Sequence, residues 1–116
     1  MPINKIITIP KLNIEVEFVI GKNAQDNFNI IDNAEPHHIW FHIEGQSSCH
    51  VIAKLEEPLD RKNVKYVIKQ GAVLCKQHSK QNNQKNVPIV YTNIENVTKS
   101  NTTGSVVIQN QKMINI

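Results

Sequence analysis

The chain has 116 residues, a mass of 13.2 kDa and a net charge of +3, with 40% hydrophobic and 20% charged residues. This length supports one hydrophobic core, so residues 1–116 are expected to form a single ordered domain. No apolar run approaches the roughly 20 residues of a membrane-spanning helix. The N-terminus lacks a secretory-signal pattern and the two cysteines lack CxxC spacing, so we expect a cytoplasmic protein, with a single disulfide left open.

The charge is unevenly distributed along the chain. Between Asp60 and Asn86, seven basic residues accompany one acid, so this stretch carries +6 and the remainder carries −3. The sequence therefore predicts one strongly basic region.

In chain order, the first predicted elements are mostly β-strands. Residues Ile3–Ile9 and Glu15–Ile20 alternate polar and apolar side chains, which predicts a β-hairpin with one solvated face. The segment Ala24–Ile31 places apolar residues at helical spacing and is predicted as a short helix. His38–Ile43 and Cys49–Leu55 are strand-like runs joined by turn residues, which predicts a second antiparallel pair.

A long helix is predicted to begin after Asp60 and to run to about Lys80. Asp60 is a good N-cap residue because its carboxylate accepts hydrogen bonds from the first helical turn. At about 100° per residue, apolar side chains fall on one side and lysines on the other. Gly71 costs this helix about 1 kcal/mol relative to alanine, and we expect it to allow close packing or a bend.

Four more strands are predicted after a polar loop: Val87–Thr92, Ile94–Thr98, Ser105–Gln109 and Lys112–Ile116. A short turn at Asn110–Gln111 joins the last two, which suggests a final hairpin. The predicted class is α+β: a mostly antiparallel sheet with one long basic amphipathic helix and one short helix.

A series of short blocks, in order along the chain, resembles a known family. The blocks are Gly21-Lys22-Asn23-Ala24 with Asn27, Ile39-Trp40-Phe41-His42, Ser47-Ser48-Cys49-His50-Val51, Lys76 with Ser79-Lys80, Val90-Tyr91-Thr92, Val97 with Lys99, and Gly104 with the final hairpin. Together they resemble the NFACT-R domain, an RNA-binding module of NFACT ribosome-quality-control proteins and of stand-alone relatives. The sequences of the Ile-Trp-Phe-His and Ser-Ser-x-His blocks most resemble those of the eukaryotic coiled-coil-domain-containing relatives.

The chain also departs from the family pattern. His38 stands where the family keeps an acid before Ile39, so any partner of that carboxylate would lose it. The chain stops at the last predicted strand, without the charged C-terminal helix of the stand-alone relatives. Functions that need such additional parts are not expected to carry over.

The candidate binding residues form two groups. Lysines on one helix face without interspersed glutamate favour contact with nucleic-acid phosphates over a merely solvated face. The Gly21-Lys22-Asn23 junction is either an ordinary turn or an anion site at a helix N-terminus. The match to the family adds support to the anion site. We expect electrostatic contacts from Lys22, Arg61, Lys62, Lys65, Lys69, Lys76 and Lys80, and oriented hydrogen bonds from Asn23, His42, Ser47, Ser48 and His50.

Other chemistry is not expected. His42, His50, Cys49 and His78 have no compact zinc-ligand spacing, so we expect structural histidines, which either bond across the strand pair or point outward, and no metal or cofactor. Trp40 is expected in the core, although it could stack a base. No phosphate-binding loop or nucleophile arrangement indicates an enzyme.

These observations and the resemblance predict a non-enzymatic module that docks on structured RNA, either tRNA or rRNA, in translation or ribosome quality control. Two alternatives stay open: a DNA-binding or DNA-sensing module, and a protein-interaction adaptor that uses an exposed strand edge.

Overall fold

The computed structural model describes residues 2–46 and 48–116 and confirms the α+β class. The first half contains strands β1 (Ile3–Ile9) and β2 (Ile14–Ile20), helix α1 (Ala24–Asp32), and strands β3 (Ile39–Ile43) and β4 (Val51–Lys54). The second half contains helix α2 (Arg61–Gln77), strand β5 (Pro88–Asn93), a 3₁₀ turn (Ile94–Asn96), and strands β6 (Val97–Lys99), β7 (Val106–Ile108) and β8 (Lys112–Asn115).

A six-stranded antiparallel sheet in the order β1-β2-β4-β3-β5-β8 organises these elements. The predicted first hairpin is confirmed, since Ile3 pairs with Ile20 and Ile9 with Ile14. The predicted pairing of β3 with β4 is also confirmed. Strands β6 and β7 form a separate two-stranded sheet.

The alternation of side chains along β3 separates two apolar clusters. Phe41 belongs to a large cluster that includes Val67 and Leu74 of α2, so α2 covers this face of the sheet. Trp40 belongs to a smaller cluster with Ile30 and Ile31 of α1, so α1 covers the opposite face. Neighbouring residues of one strand thus serve different cores, as the two-residue period of a strand requires.

Close packing of α2 depends on Gly71, as predicted. A Cβ atom at this position would collide with the Phe41 ring, so glycine lets the helix backbone lie directly on the aromatic side chain. Asp60 caps the helix as predicted, because its carboxylate accepts a hydrogen bond from the Asn63 N–H at 2.9 Å.

The predicted end of the helix at Lys80 is wrong by three residues. The Ser79 hydroxyl donates to the Lys76 carbonyl at 2.7 Å and accepts from the Gln81 N–H at 3.1 Å. These local bonds compete with helix continuation, so α2 ends at Gln77 and Lys80 lies in the following turn.

The strand predicted over residues 94–98 is only partly present. The Ile94 N–H donates to the His38 carbonyl and the Glu95 N–H donates to the Pro36 carbonyl, at 2.8 and 3.1 Å. These bonds hold a 3₁₀ turn that directs the chain away from the large sheet before β6 begins.

The predicted final hairpin is also wrong. Strand β7 pairs with β6, whereas β8 pairs with β5 at the edge of the large sheet. The Gln109 carbonyl accepts a hydrogen bond from the Thr92 hydroxyl, and Asn110 adopts a positive φ of 54°. The chain is therefore fixed to β5 at the turn and crosses from the small sheet to the large one.

The two cysteines are free thiols that lie side by side, Cys49 before β4 and Cys75 in α2. The Cys49 Sγ lies 3.7 Å from the Cys75 carbonyl oxygen, and the Cys75 Sγ lies 3.9 Å from the Cys49 carbonyl oxygen. Neither α1 nor α2, the two α-helices of the described residues, combines the length and the hydrophobicity of a membrane span.

Candidate nucleic-acid interface

The junction between β2 and α1 is held by asparagine side chains. The Asn23 Oδ1 accepts a hydrogen bond from the Asp26 N–H at 2.8 Å, which caps α1. A side chain at Gly21 would collide with Asn27, whose Oδ1 accepts a hydrogen bond from the His50 N–H at 3.3 Å. These contacts explain physically why glycine and two asparagines occur at these spacings, and they commit the Asn23 oxygen to the cap.

His50 is the structural centre of this region. Only 2% of its surface is exposed, and its Nδ1 accepts a hydrogen bond from the Trp40 indole N–H at 3.1 Å. A neutral imidazole that accepts at Nδ1 carries its proton on Nε2. Burial first, and the neighbouring His42 second, lower the pKa of His50 to about 3, so the ring is neutral at physiological pH.

His42 completes an aromatic cluster with Trp40 and His50. Its ring is nearly parallel to the indole of Trp40, with centroids 5.6 Å apart, and perpendicular to the His50 ring at 5.0 Å. Burial also lowers the pKa of His42. The perpendicular rings of His42 and His50 meet edge to face, and no hydrogen bond joins them among the described residues. Trp40 lies in the core as predicted, with 1% of its surface exposed.

Ser48 is committed to the loop between β3 and β4. Its hydroxyl donates to the Cys49 carbonyl at 3.1 Å and accepts from the Ile43 N–H at 3.2 Å. It therefore holds the loop backbone and has little capacity left for a ligand. Ser47, also predicted as a binding residue, lies outside the described residues.

A cavity of 570 Å³ opens between the start of α1, the β3–β4 loop and the β6–β7 hairpin. It brings together five residues predicted from the sequence: Lys22, Asn23, His42, Ser48 and His50. The sequence interpretation missed other lining residues, chiefly Glu44, Gly104, Val106 and Ile108. Alternation along β7 was the available signal, since Val106 and Ile108 are half-buried and Val107 is exposed.

The basic helix lies on the other face of the sheet. Arg61, Lys62, Lys65 and Lys69 are exposed on α2, and Lys80 is exposed beyond it. Lys76 is half-buried because its Nζ donates to the Ile116 carbonyl at 3.1 Å. The sheet thus separates the lysines of α2 from the cavity, although Cys49, which lines the cavity, contacts Cys75 of α2.

A separate polar cluster in the turn before β3 contains Glu35, His37 and His38. Their side-chain atoms that could bind a metal ion lie within 4.8 Å of one another. The His38 Nδ1 accepts a hydrogen bond from the Glu35 N–H at 3.0 Å, and the His37 Nε2 lies 2.7 Å from the Leu55 carbonyl oxygen. These bonds occupy a nitrogen on each ring and stabilise the turn before β3. A carboxylate could accept the same N–H, which accounts for His38 at a position where an acid also fits.

The fold defines the class of protein: a small α+β domain in which helices cover both faces of an antiparallel sheet. Residues 13–115 match the family described as the NFACT protein RNA binding domain, and the chain belongs to this family. Membership supports a general role in RNA binding and confirms the resemblance found in the sequence.

Individual relatives agree with this assignment. The chain is 34% identical over 83 residues to coiled-coil domain-containing protein 25 of Mus musculus, and equally to that of Bos taurus. Each match covers 70% of this chain and 40% of the relative, so the chain spans less than half the length of these proteins. The C-terminal part of the fibronectin/fibrinogen-binding protein from Streptococcus suis has the same fold, with a TM-score of 0.83 and 20% identity over 99% of this chain and 45% of that chain.

Proposed function

We propose that this domain is a non-enzymatic, cytoplasmic module that docks on structured RNA, with tRNA or rRNA as its ligand, in translation or ribosome quality control. The observation that carries the proposal is the basic surface of α2. Five basic residues and no acid occur in its 17 residues, and four of the five are exposed.

Two lysines outside α2 are paired with carboxylates. Lys54 lies 3.7 Å from Glu17, and Lys99 lies 2.6 Å from Asp32. Within residues 2–46 and 48–116, no lysine of α2 lies within 4.0 Å of a carboxylate. Because no carboxylate neutralises the exposed Lys62, Lys65 and Lys69, these three lysines are available to replace the counterions of a phosphate backbone.

Backbone and shape recognition suits this surface better than the reading of single-stranded sequence. The chain has six aromatic residues, and Trp40 and Phe41 are buried. Few aromatic platforms are left for stacking successive bases, whereas an A-form helix presents phosphates and 2′-hydroxyls on a regular surface.

Fluorescence anisotropy with labelled tRNA, titrated at several salt concentrations, tests the proposal. The double variant Lys65→Glu, Lys69→Glu should lower the affinity for tRNA about tenfold or more. It should also make the affinity less dependent on salt concentration, because each lost phosphate contact means that about one counterion fewer is released on binding. The matched variant Lys11→Glu with Lys112→Glu has the same change in charge outside α2 and should bind nearly as wild type.

Competition with duplex DNA distinguishes RNA docking from the nearest alternative, a DNA-binding module. Poor displacement of tRNA by DNA at matched salt supports RNA docking, whereas equal displacement supports the DNA-binding module. If the folded α2 variant binds tRNA as well as wild type does, α2 is not the contact surface. Absence of tRNA binding at low salt would overturn the proposal and favour a protein-interaction adaptor.

A further inference from the structure

The cavity on the α1 face has one buried donor that the fold does not use. The His50 Nδ1 is occupied by the Trp40 indole, so the proton of the neutral ring is on Nε2. Among the described residues, nothing accepts a hydrogen bond from this Nε2–H, yet no fully buried polar side-chain atom lacks a partner. The Nε2–H therefore reaches solvent, and His50 lines the cavity.

The start of α1 supplies the second feature. The helix has nine residues, and its cap satisfies the Asp26 N–H, while the N–H groups of Ala24 and Gln25 have no acceptor among the described residues. Lys22, Asn23 and Ala24 line the cavity, and the Lys22 side chain is exposed. The Asp26 carboxylate lies in the first turn and accepts a hydrogen bond from the Lys22 backbone N–H at 3.2 Å, so the positive charge that attracts a phosphate group here comes from the Lys22 side chain together with the Ala24 and Gln25 N–H groups.

The remaining walls suit a flat, partly apolar group. Val90, Val106, Ile108 and the half-buried His42 also line the cavity. Glu44 adds one exposed carboxylate, which can accept hydrogen bonds from ribose hydroxyls or from an amino group of a base. The volume of 570 Å³ lies in the range of small-molecule sites and excludes a duplex.

We propose that this cavity holds one unstacked nucleotide of the bound RNA, with a phosphate at the start of α1 beside Lys22 and with the base against His42, Val106 and Ile108, where it accepts a hydrogen bond from the His50 Nε2–H. This inference rests on the proposed RNA-binding function. It adds a site on the opposite face of the sheet from α2.

Ser105→Trp is the variant that tests the site. Ser105 is exposed and lines the cavity, so a tryptophan there occupies the mouth without replacing a buried group. Thr102→Trp is the matched control, because Thr102 is exposed in the same hairpin loop and does not line the cavity. Circular dichroism establishes that both variants are folded.

Two binding measurements are made on wild type and both variants. The first is a ¹H–¹⁵N NMR titration with the four ribonucleoside 5′-monophosphates and, separately, inorganic phosphate, which follows the Ala24 and Gln25 amides and the His50 ring N–H. The second is tRNA anisotropy. We expect monophosphates to shift all three signals in wild type and Thr102→Trp but not in Ser105→Trp. Ser105→Trp should weaken tRNA binding several-fold and lower the salt slope by about one, because the phosphate contact beside Lys22 is lost while the contacts of α2 remain.

Three results would overturn the inference. Equal tRNA affinity for wild type and Ser105→Trp would remove the cavity from the RNA interface and leave the α2 surface intact. Inorganic phosphate that shifts the signals as strongly as the nucleotides would reduce the site to an anion site. Nucleotide binding in a protein that does not bind tRNA at low salt would assign the cavity to free nucleotides and would also overturn the proposed function.

Discussion

The face of the sheet that carries α2 is packed with apolar side chains, whereas the face that carries α1 is interrupted by polar groups and by the cavity. Within the described residues, the cluster beneath α2 contains sixteen buried residues and the cluster beneath α1 contains seven. Buried polar residues on the α1 side, such as Asn27 and His50, are joined to backbone groups and to Trp40.

The two faces of the sheet therefore differ in what they contribute to the domain. The α2 face supplies most of the hydrophobic stabilisation, and four of the five charged residues of α2 lie on the exposed outer surface of the helix. The α1 face gives up apolar packing for fixed hydrogen-bond donors around a concave site.

The largest expected effect comes from deleting the same atoms on each face. Ile89→Ala, in the cluster beneath α2 with 0% exposed, should lower the free energy of unfolding by about 4 kcal/mol. Ile31→Ala, in the cluster beneath α1 with 8% exposed, should lower it by about 2 kcal/mol, since its surroundings relax more easily. Urea unfolding of both variants measures the difference, and equal losses would contradict the proposed division.

Acid should destabilise the α1 face in particular. The pKa of His50 is about 3 in the folded protein and 6.5 as a model value, so the unfolded chain binds more protons below pH 6.5 and stability falls as the pH falls. Between pH 7 and pH 5 this amounts to about 2 kcal/mol from His50, with a contribution of the same sign from His42.

Urea unfolding across this pH range measures the slope. His50→Gln is the informative variant, because its amide oxygen can still accept the hydrogen bond from the Trp40 indole while it does not titrate. The slope should flatten in this variant even if its stability at pH 7 is lower. An unchanged slope would show that His50 is not the titrating group.

Gly71→Ala tests the close packing on the α2 face. Alanine improves helix propensity by about 1 kcal/mol, but its Cβ collides with the Phe41 ring, and overpacking costs about 1 to 3 kcal/mol. We expect a net loss of about 1 kcal/mol in the free energy of unfolding. A gain in stability would mean that the helix moves away from the sheet without cost.

The smallest effects compare the two helix caps. Asn23→Ala and Asp60→Ala each remove a hydrogen bond to a first-turn N–H, at 2.8 and 2.9 Å, and each should cost about 1 kcal/mol of unfolding free energy. Only Asn23→Ala alters the wall of the cavity, so only this variant should also weaken binding of ribonucleoside monophosphates in the NMR titration. Equal effects of both variants on binding would indicate a global rather than a local cause.

Local patterns in the sequence were enough to place most elements. The alternation in Ile3–Ile9 and in β2 and the cap at Asp60 reflect interactions between neighbours in the chain or along one helix. The glycine at position 71 was noticeable from its low helix propensity alone, although its partner Phe41 lies in β3. Such signals do not depend on which strands pair, so they were readable without the fold. The resemblance to the NFACT-R domain likewise followed from short blocks in their order.

The wrong end of α2 has a local cause at Ser79, whereas the wrong final hairpin arose where distant residues bind the same segment. The turn predicted at Asn110–Gln111 has suitable residues, but hydrogen bonds from Thr92 and to Asn96 connect this segment to β5 and the 3₁₀ turn instead. Ile114 then packs with the cluster beneath α2, which favours β8 in the large sheet over a hairpin with β7.

The sequence by itself determined the class of the domain, its basic helix and the identity of five cavity residues, because composition, periodicity and motif order are local properties. Only the tertiary structure decided that the sheet separates α2 from the cavity, and that Trp40 occupies one nitrogen of His50 and leaves the other open. Both facts depend on strand order and on side-chain contacts between residues far apart in sequence, which no window of neighbouring residues contains.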